Sequence, residues 1–126
     1  MLYEVTSDKT LEAIDRGLQE AAARYKFGII AVHNLKEMMA KKGVEFAGEC
    51  LIYEVCNPHQ AKKVLEANGA VSTALPCRVS VYRSGDGYKL ATILPTALMK
   101  LFGNPALEPV AREVEDVIVA MMQAAA

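Results

Sequence analysis

The chemistry this chain can offer gathers at Cys56, where an apolar run ends in a thiol and Asn57-Pro58 follows at once. Asn is a strong N-cap and Pro is pre-set for the first helical position, so a helix begins directly after the thiol. A cysteine one residue before the cap lies near the positive end of a helix dipole, where the thiolate is favoured and nucleophilic. Cys56 is therefore the candidate catalytic residue. Cys77 opens the next alternating apolar segment. If the two segments neighbour each other in a sheet, their sulfurs approach and form a redox pair or two soft metal ligands. Neither sits in a C-x-x-C motif, and a free cysteine is commonly an inert, small buried hydrophobe, so that reading stands beside the chemical ones.

Two imidazoles accompany the thiols. His59 follows Cys56-Asn57-Pro58 and offers a nitrogen one helical turn from the sulfur, or else a solvated first-turn side chain. His33, after Ile29-Ile30-Ala31-Val32, ends a strand and serves either as a base for a thiol or as a hydrogen-bonded rim residue. Cys56, Asn57, Cys77 and His33 are the candidate ligand-binding set, and Cys56, Cys77 and His59 the candidate metal ligands. A closed zinc site wants four protein ligands, and no quartet has the usual spacing, although a site shared across a dimer would complete one. No phosphate-cradling glycine loop or serine elbow occurs. Glu45 and Glu49 share one strand face and Glu54 takes the other, so they form no acid–base pair.

The elements that position these residues follow from periodicity. Leu2 to Val5 alternates as a strand, and Ser7 with Asp8 marks a helix start. Leu11, Ile14, Leu18, Ala22 and Tyr25 recur at helical spacing, with Gly28 at the expected stop. Ile29 to Val32 reads as a buried strand, and Leu35 to Lys42 as a short helix with Met38 and Met39 as core filler. Phe46 to Cys56 is apolar on both parities, which predicts a strand covered on both faces for part of its length. After the Asn57 cap, Ala61, Val64 and Leu65 form an inner stripe down to Asn68-Gly69. Ala70 to Leu75 is a linker closed by Pro76. Cys77 to Arg83 and Tyr88 to Leu94 form a hairpin across Ser84-Gly85-Asp86-Gly87. A short apolar segment, Ala97 to Phe102, precedes a last helix from about residue 107, with Val110, Val114, Val117, Ile118 and Met121 inward. The order β-α-β-(α)-β-α-β-β-α-α lacks doubly wound alternation and predicts an α+β domain, a layer of largely antiparallel sheet packed by helices.

Composition limits the function classes. The 126 residues fit one domain, with 52% hydrophobic residues and a mean hydropathy of +0.15, yet no apolar run reaches the ~20 residues that cross a bilayer. No export signal is visible, so the chain reads as cytoplasmic, without a membrane partner. Fourteen basic and fifteen acidic residues give a net charge of −1, with no electrostatic footprint for nucleic acid. Three cysteines, an odd count, argue against a disulfide framework.

Cys56-Asn57-Pro58, followed by Leu75-Pro76-Cys77-Arg78-Val79-Ser80-Val81-Tyr82, resembles the domain of unknown function 302 family of bacteria and archaea. Tyr25 to Ile30 before His33, Gly48 to Tyr53 and Asp86-Gly87 support the resemblance across nearly the whole chain. It implies a single domain over 1–126 with a TT-1751-like fold, related in layout to the TATA-binding protein and often dimeric. It implies no established activity. Cys56, Asn57, Pro58, Pro76 and Cys77 match the family pattern, whereas Cys50 and His59 do not find a place in it. The expected function is a ligand-binding or sensing module with a Cys56/Cys77 pocket for a soft metal or a sulfur species. The alternatives are a thiol redox or nucleophilic enzyme using Cys56, with His33 as base, and a homodimeric scaffold with inert cysteines.

Overall fold

The alternating segments become five strands, β1 (Leu2–Ser7), β2 (Gly28–Asn34), β3 (Cys50–Cys56), β4 (Cys77–Ser84) and β5 (Gly87–Ile93). In the computed structural model, which describes residues 1–126, they form one antiparallel sheet in the order β1-β5-β4-β3-β2. The helices are α1 (Leu11–Arg24), α2 (Leu35–Lys41), α3 (Pro58–Ala67), α4 (Pro95–Met99) and α5 (Glu108–Ala125), with 3₁₀ turns at Gly69–Ala74, Lys100–Phe102 and Pro105–Leu107. Both the α+β class and the element order are those expected from the sequence. No helix is long and apolar enough to cross a membrane.

The core lies between one sheet face and the two long helices. Tyr53 and Val55 of β3, Val79 and Val81 of β4, and Tyr88 and Leu90 of β5 meet Ile14 and Leu18 of α1 and Ile118 and Met121 of α5. Tyr53 is fully buried, and its hydroxyl is satisfied by donating to Asp15 Oδ1 at 2.7 Å. Burial first, and the Asp15 carboxylate second, push its phenol pKa upward. The strand period of two sends Cys50, Ile52, Glu54 and, through the β2–β3 register, His33 to the opposite face. On that face Leu2 and Ile93 are 61% and 52% exposed.

Helices α1 and α5 approach at a glycine. A Cβ on Gly17 would stand 2.9 Å from Ala125 Cα. The end of α5 is held there by β1: Ser7 Oγ donates to the Ala126 carbonyl at 2.9 Å. Further along α5, buried Glu115 accepts the Thr96 N–H at 3.1 Å and the Thr96 hydroxyl at 2.6 Å, serving as the cap that α4 lacks in its own sequence. At the hairpin, Arg83 donates to Glu49 Oε1 at 3.1 Å while Tyr88 donates to Glu49 Oε2 at 3.1 Å. Arg83 first, then Tyr88, hold the Glu49 carboxyl below its ordinary range.

Several local expectations change. Helix α1 is capped by Thr10, whose Oγ1 accepts the Ala13 N–H at 3.2 Å, because Ser7 finishes β1 and its hydroxyl is engaged by Ala126. Helix α1 stops through Lys26 at φ 61, not Gly28, which begins β2. The bonds Lys26 N–H to Ala23 O and Phe27 N–H to Ala22 O form a Schellman motif that holds a non-glycine residue in the left-handed region. Met38 is 48% exposed and α2 buries nothing, so the methionine pair is not core filler. Tyr25, too, faces solvent. Strand β3 begins at Cys50 rather than Phe46, and only its Tyr53–Val55 side is deeply buried, because α1 and α5 occupy the same face. The segment after α3 is a 3₁₀ turn with fully buried Val71, not an open linker. In the hairpin, Gly85 at φ 60 occupies the first central position of a two-residue turn, the type II′ arrangement.

The α1–α5 contact is testable at Gly17. Alanine in a helix interior is ordinarily worth about 1 kcal/mol over glycine. Here Gly17→Ala should instead lower the urea-unfolding free energy by on the order of 1–3 kcal/mol, as overpacking does. A more stable variant would mean that the helices yield freely at this crossing.

Candidate functional site

The candidate site grows from the turn between β3 and α3. Asn57 Oδ1 accepts the backbone N–H groups of His59 at 2.9 Å and Gln60 at 3.2 Å, the N-cap expected of this residue. The other end of the same amide, Nδ2, donates to the Lys26 carbonyl at 3.3 Å. One side chain thus joins the start of α3 to the turn that ends α1. Cys56 is the last residue of β3, opposite Gly28, and Cys77 is the first of β4, opposite Val55. The register therefore brings the two thiols onto adjacent strand ends, as their placement at element boundaries suggested.

Both thiols line a cavity of about 280 Å³. Val55, Leu75 and Pro76 form its sheet side, together with Ile30, the extra residue at a bulge in β2. Ala61, Val64 and Leu65 come from α3, and Val110, Ala111 and Val114 from α5. Met99 of α4 adds a third sulfur. None of the 17 lining residues is charged. Asn57 and Gln60 are the lining residues with side-chain amides.

The remaining candidates lie elsewhere. His33 does not line the cavity; it sits on the other sheet face with Nε2 3.5 Å from Glu54 Oε1, which Arg78 also approaches at 3.6 Å. His59 is exposed on α3. No group of three His, Cys, Asp or Glu side chains is placed to hold a metal ion. Cys50, whose sulfur is 3.9 Å from Ser80 Oγ, belongs to the other face as well.

Electrostatics sets Cys77 apart from an activated thiol. Burial, and then the neighbouring Cys56, push the Cys77 thiol up to about 11, so it is protonated at neutral pH. The first-turn N–H groups of α3 that favour a thiolate are taken by Asn57 Oδ1, and so are spent on the cap. Cys50, Cys56 and Cys77 are all free. The arrangement supplies a soft, apolar, uncharged wall.

Gln60 has no place among the residues expected to form the site. Its signal in the sequence is an amide at the third helical position after an N-cap, where a capping box would reach back to the cap. Instead Gln60 Nε2 donates to Glu113 Oε2 of α5 at 2.8 Å. The α5 lining residues were legible as an inward helix face, but not as cavity wall.

A five-strand antiparallel sheet under two long helices, with this cavity at one sheet end, defines a class of small α+β domain. The crystal structure of an uncharacterized conserved protein DUF302 from Bacillus stearothermophilus is similar to this chain at a TM-score of 0.93 and 29% identity, covering 99% of this chain and 98% of that one. The sequence pattern of the domain of unknown function DUF302 matches residues 3–125, and the chain belongs to that family. No curated protein matches it.

Alkylation tests the state of Cys77. In a Cys50→Ser/Cys56→Ser variant, burial, the larger cause of the shift, remains, so the rate should keep rising past pH 9.0, the ordinary value for a thiol. Mass-spectrometric labelling across pH 6–11 gives the profile. A plateau reached below pH 9 would contradict the buried, protonated thiol.

Proposed function

We propose that this domain is a ligand-binding or sensing module whose cavity, walled by Cys56 and Cys77, receives a small sulfur-bearing organic molecule. The observation that carries this reading is the coincidence of both thiols, and the Met99 thioether, on one apolar cavity without a charged lining residue. Ligand sites are characteristically apolar concavities with a few polar groups. The thioether is polarizable and makes favourable contacts with an aromatic ring, and a free thiol packs as a small hydrophobe. An apolar cavity of about 150 Å³ holds benzene. A space of about 280 Å³ therefore suits a ligand of roughly ten non-hydrogen atoms.

A soft metal fits this site less well. It would have to displace the proton from Cys77, and His59 does not join the two thiols on the cavity wall. The thiol-enzyme reading lacks its base, since His33 is engaged by Glu54 on the other face.

Thioanisole, an uncharged aryl thioether, is a suitable probe. At saturating concentration it should slow alkylation of Cys56 and Cys77 several-fold while leaving Cys50 unaffected. Ala61→Phe, which fills the cavity, should abolish the protection. Equal slowing at all three cysteines, or none at any, contradicts the reading.

A further inference from the structure

The rim of the cavity bears on the length of its ligand, on the basis of the ligand-binding reading above. Two lining residues are also exposed to solvent: Ile30, at 61%, and Leu65, at 39%. Ile30 is the extra residue of the bulge in β2, an edge strand, and Val32, two residues further along that strand, is 43% exposed. Single exposed apolar residues are ordinary, but here they carry an apolar cavity wall out into water as one surface. An occupant of roughly ten non-hydrogen atoms fills the cavity and leaves this surface wet, whereas a longer one covers it.

The charges lie outside. None of the 17 lining residues is charged, so an ionic group loses its hydration uncompensated unless it stays beyond the rim. Lys62 stands one turn before Leu65 on the same face of α3, and Lys26 is the residue whose carbonyl Asn57 ties to the start of that helix. Both are exposed, and neither enters an ion pair. Glu66, which follows Leu65, is offset from that face by the helical period.

We propose that the ligand is a single-chain amphiphile. Its sulfur-bearing end lies in the cavity, its alkyl chain runs out over Ile30 and Leu65, and its anionic head stays in water near Lys26 and Lys62. Ile30 and Leu65 are then the residues that set the preferred chain length.

Dodecanoate, with a methylene in place of the sulfur, and hexanoate test this by isothermal calorimetry at pH 7, both below their micelle concentrations. Each methylene withdrawn from water is worth roughly fourfold, so dodecanoate should bind more tightly on the order of a hundredfold or more. It should bind without net proton uptake, read from buffers of differing ionisation enthalpy, because the carboxylate remains hydrated. Ile30→Ser and Leu65→Ser, both at exposed positions, should each weaken dodecanoate several-fold. Neither should alter the protection of Cys56 and Cys77 by thioanisole, which needs only the cavity. Dodecyltrimethylammonium should bind several-fold more weakly than dodecanoate. Uptake of a proton with dodecanoate, unchanged binding in both rim variants, or equal binding of the cation overturns the inference, while protection by thioanisole leaves the cavity reading standing. If dodecanoate does not bind and thioanisole does not protect, the two fall together.

Discussion

The side chain of Asn57 is the constraint on which the site depends. Its oxygen fixes where α3 begins, and its nitrogen ties that beginning to the carbonyl of Lys26, the left-handed residue at the end of α1. Without the cap, helix formation would lose on the order of 1 kcal/mol locally. The geometric consequence is larger than that energy. The cap sets the angle at which α3 leaves the sheet, and with it the separation between Cys56 at the strand end and Ala61, Val64 and Leu65 across the cavity.

The rest of the fold keeps that space from collapsing. Helix α5 is pinned near its end by Ser7 and packed against α1 at Gly17, so its other half projects beyond the sheet core toward α3. Glu115 holds α4 beside it through Thr96, which brings Pro95 and Met99 to the cavity wall. A second cluster, with Val71, Leu107 and Ala111 buried, seals the far side. Gln60 Oε1, buried without a donor, costs the folded state about 1–3 kcal/mol.

Local patterns made much of this fold legible. The Asn57-Pro58 cap, the hairpin and the apolar part of the α5 stripe depend on neighbouring residues, and they formed as their residue types dictate, whereas the acidic Glu115 is buried on α5 because it caps α4. The misplaced boundaries have a common origin: Ser7 would cap a helix in isolation, yet its hydroxyl is claimed by Ala126 at the other end of the chain, and Lys26 replaces Gly28 as the left-handed stop because two backbone bonds hold it there. Cys56 and Cys77 could be recognised as a pair only conditionally, since their proximity depends on the β3–β4 register. Gln60 lay outside reach because its meaning arises from Glu113, 53 positions away.

Methyl-resolved NMR of the protein titrated with thioanisole tests the central claim most directly. Shift changes should be confined to the cavity-lining methyls, among them Val55, Val64, Leu65, Leu75, Val110 and Val114, with Ile52 and Ile93 on the other sheet face unmoved. Changes centred on Ile52 and Ile93, or spread evenly over the molecule, would contradict a ligand site between β3, α3 and α5.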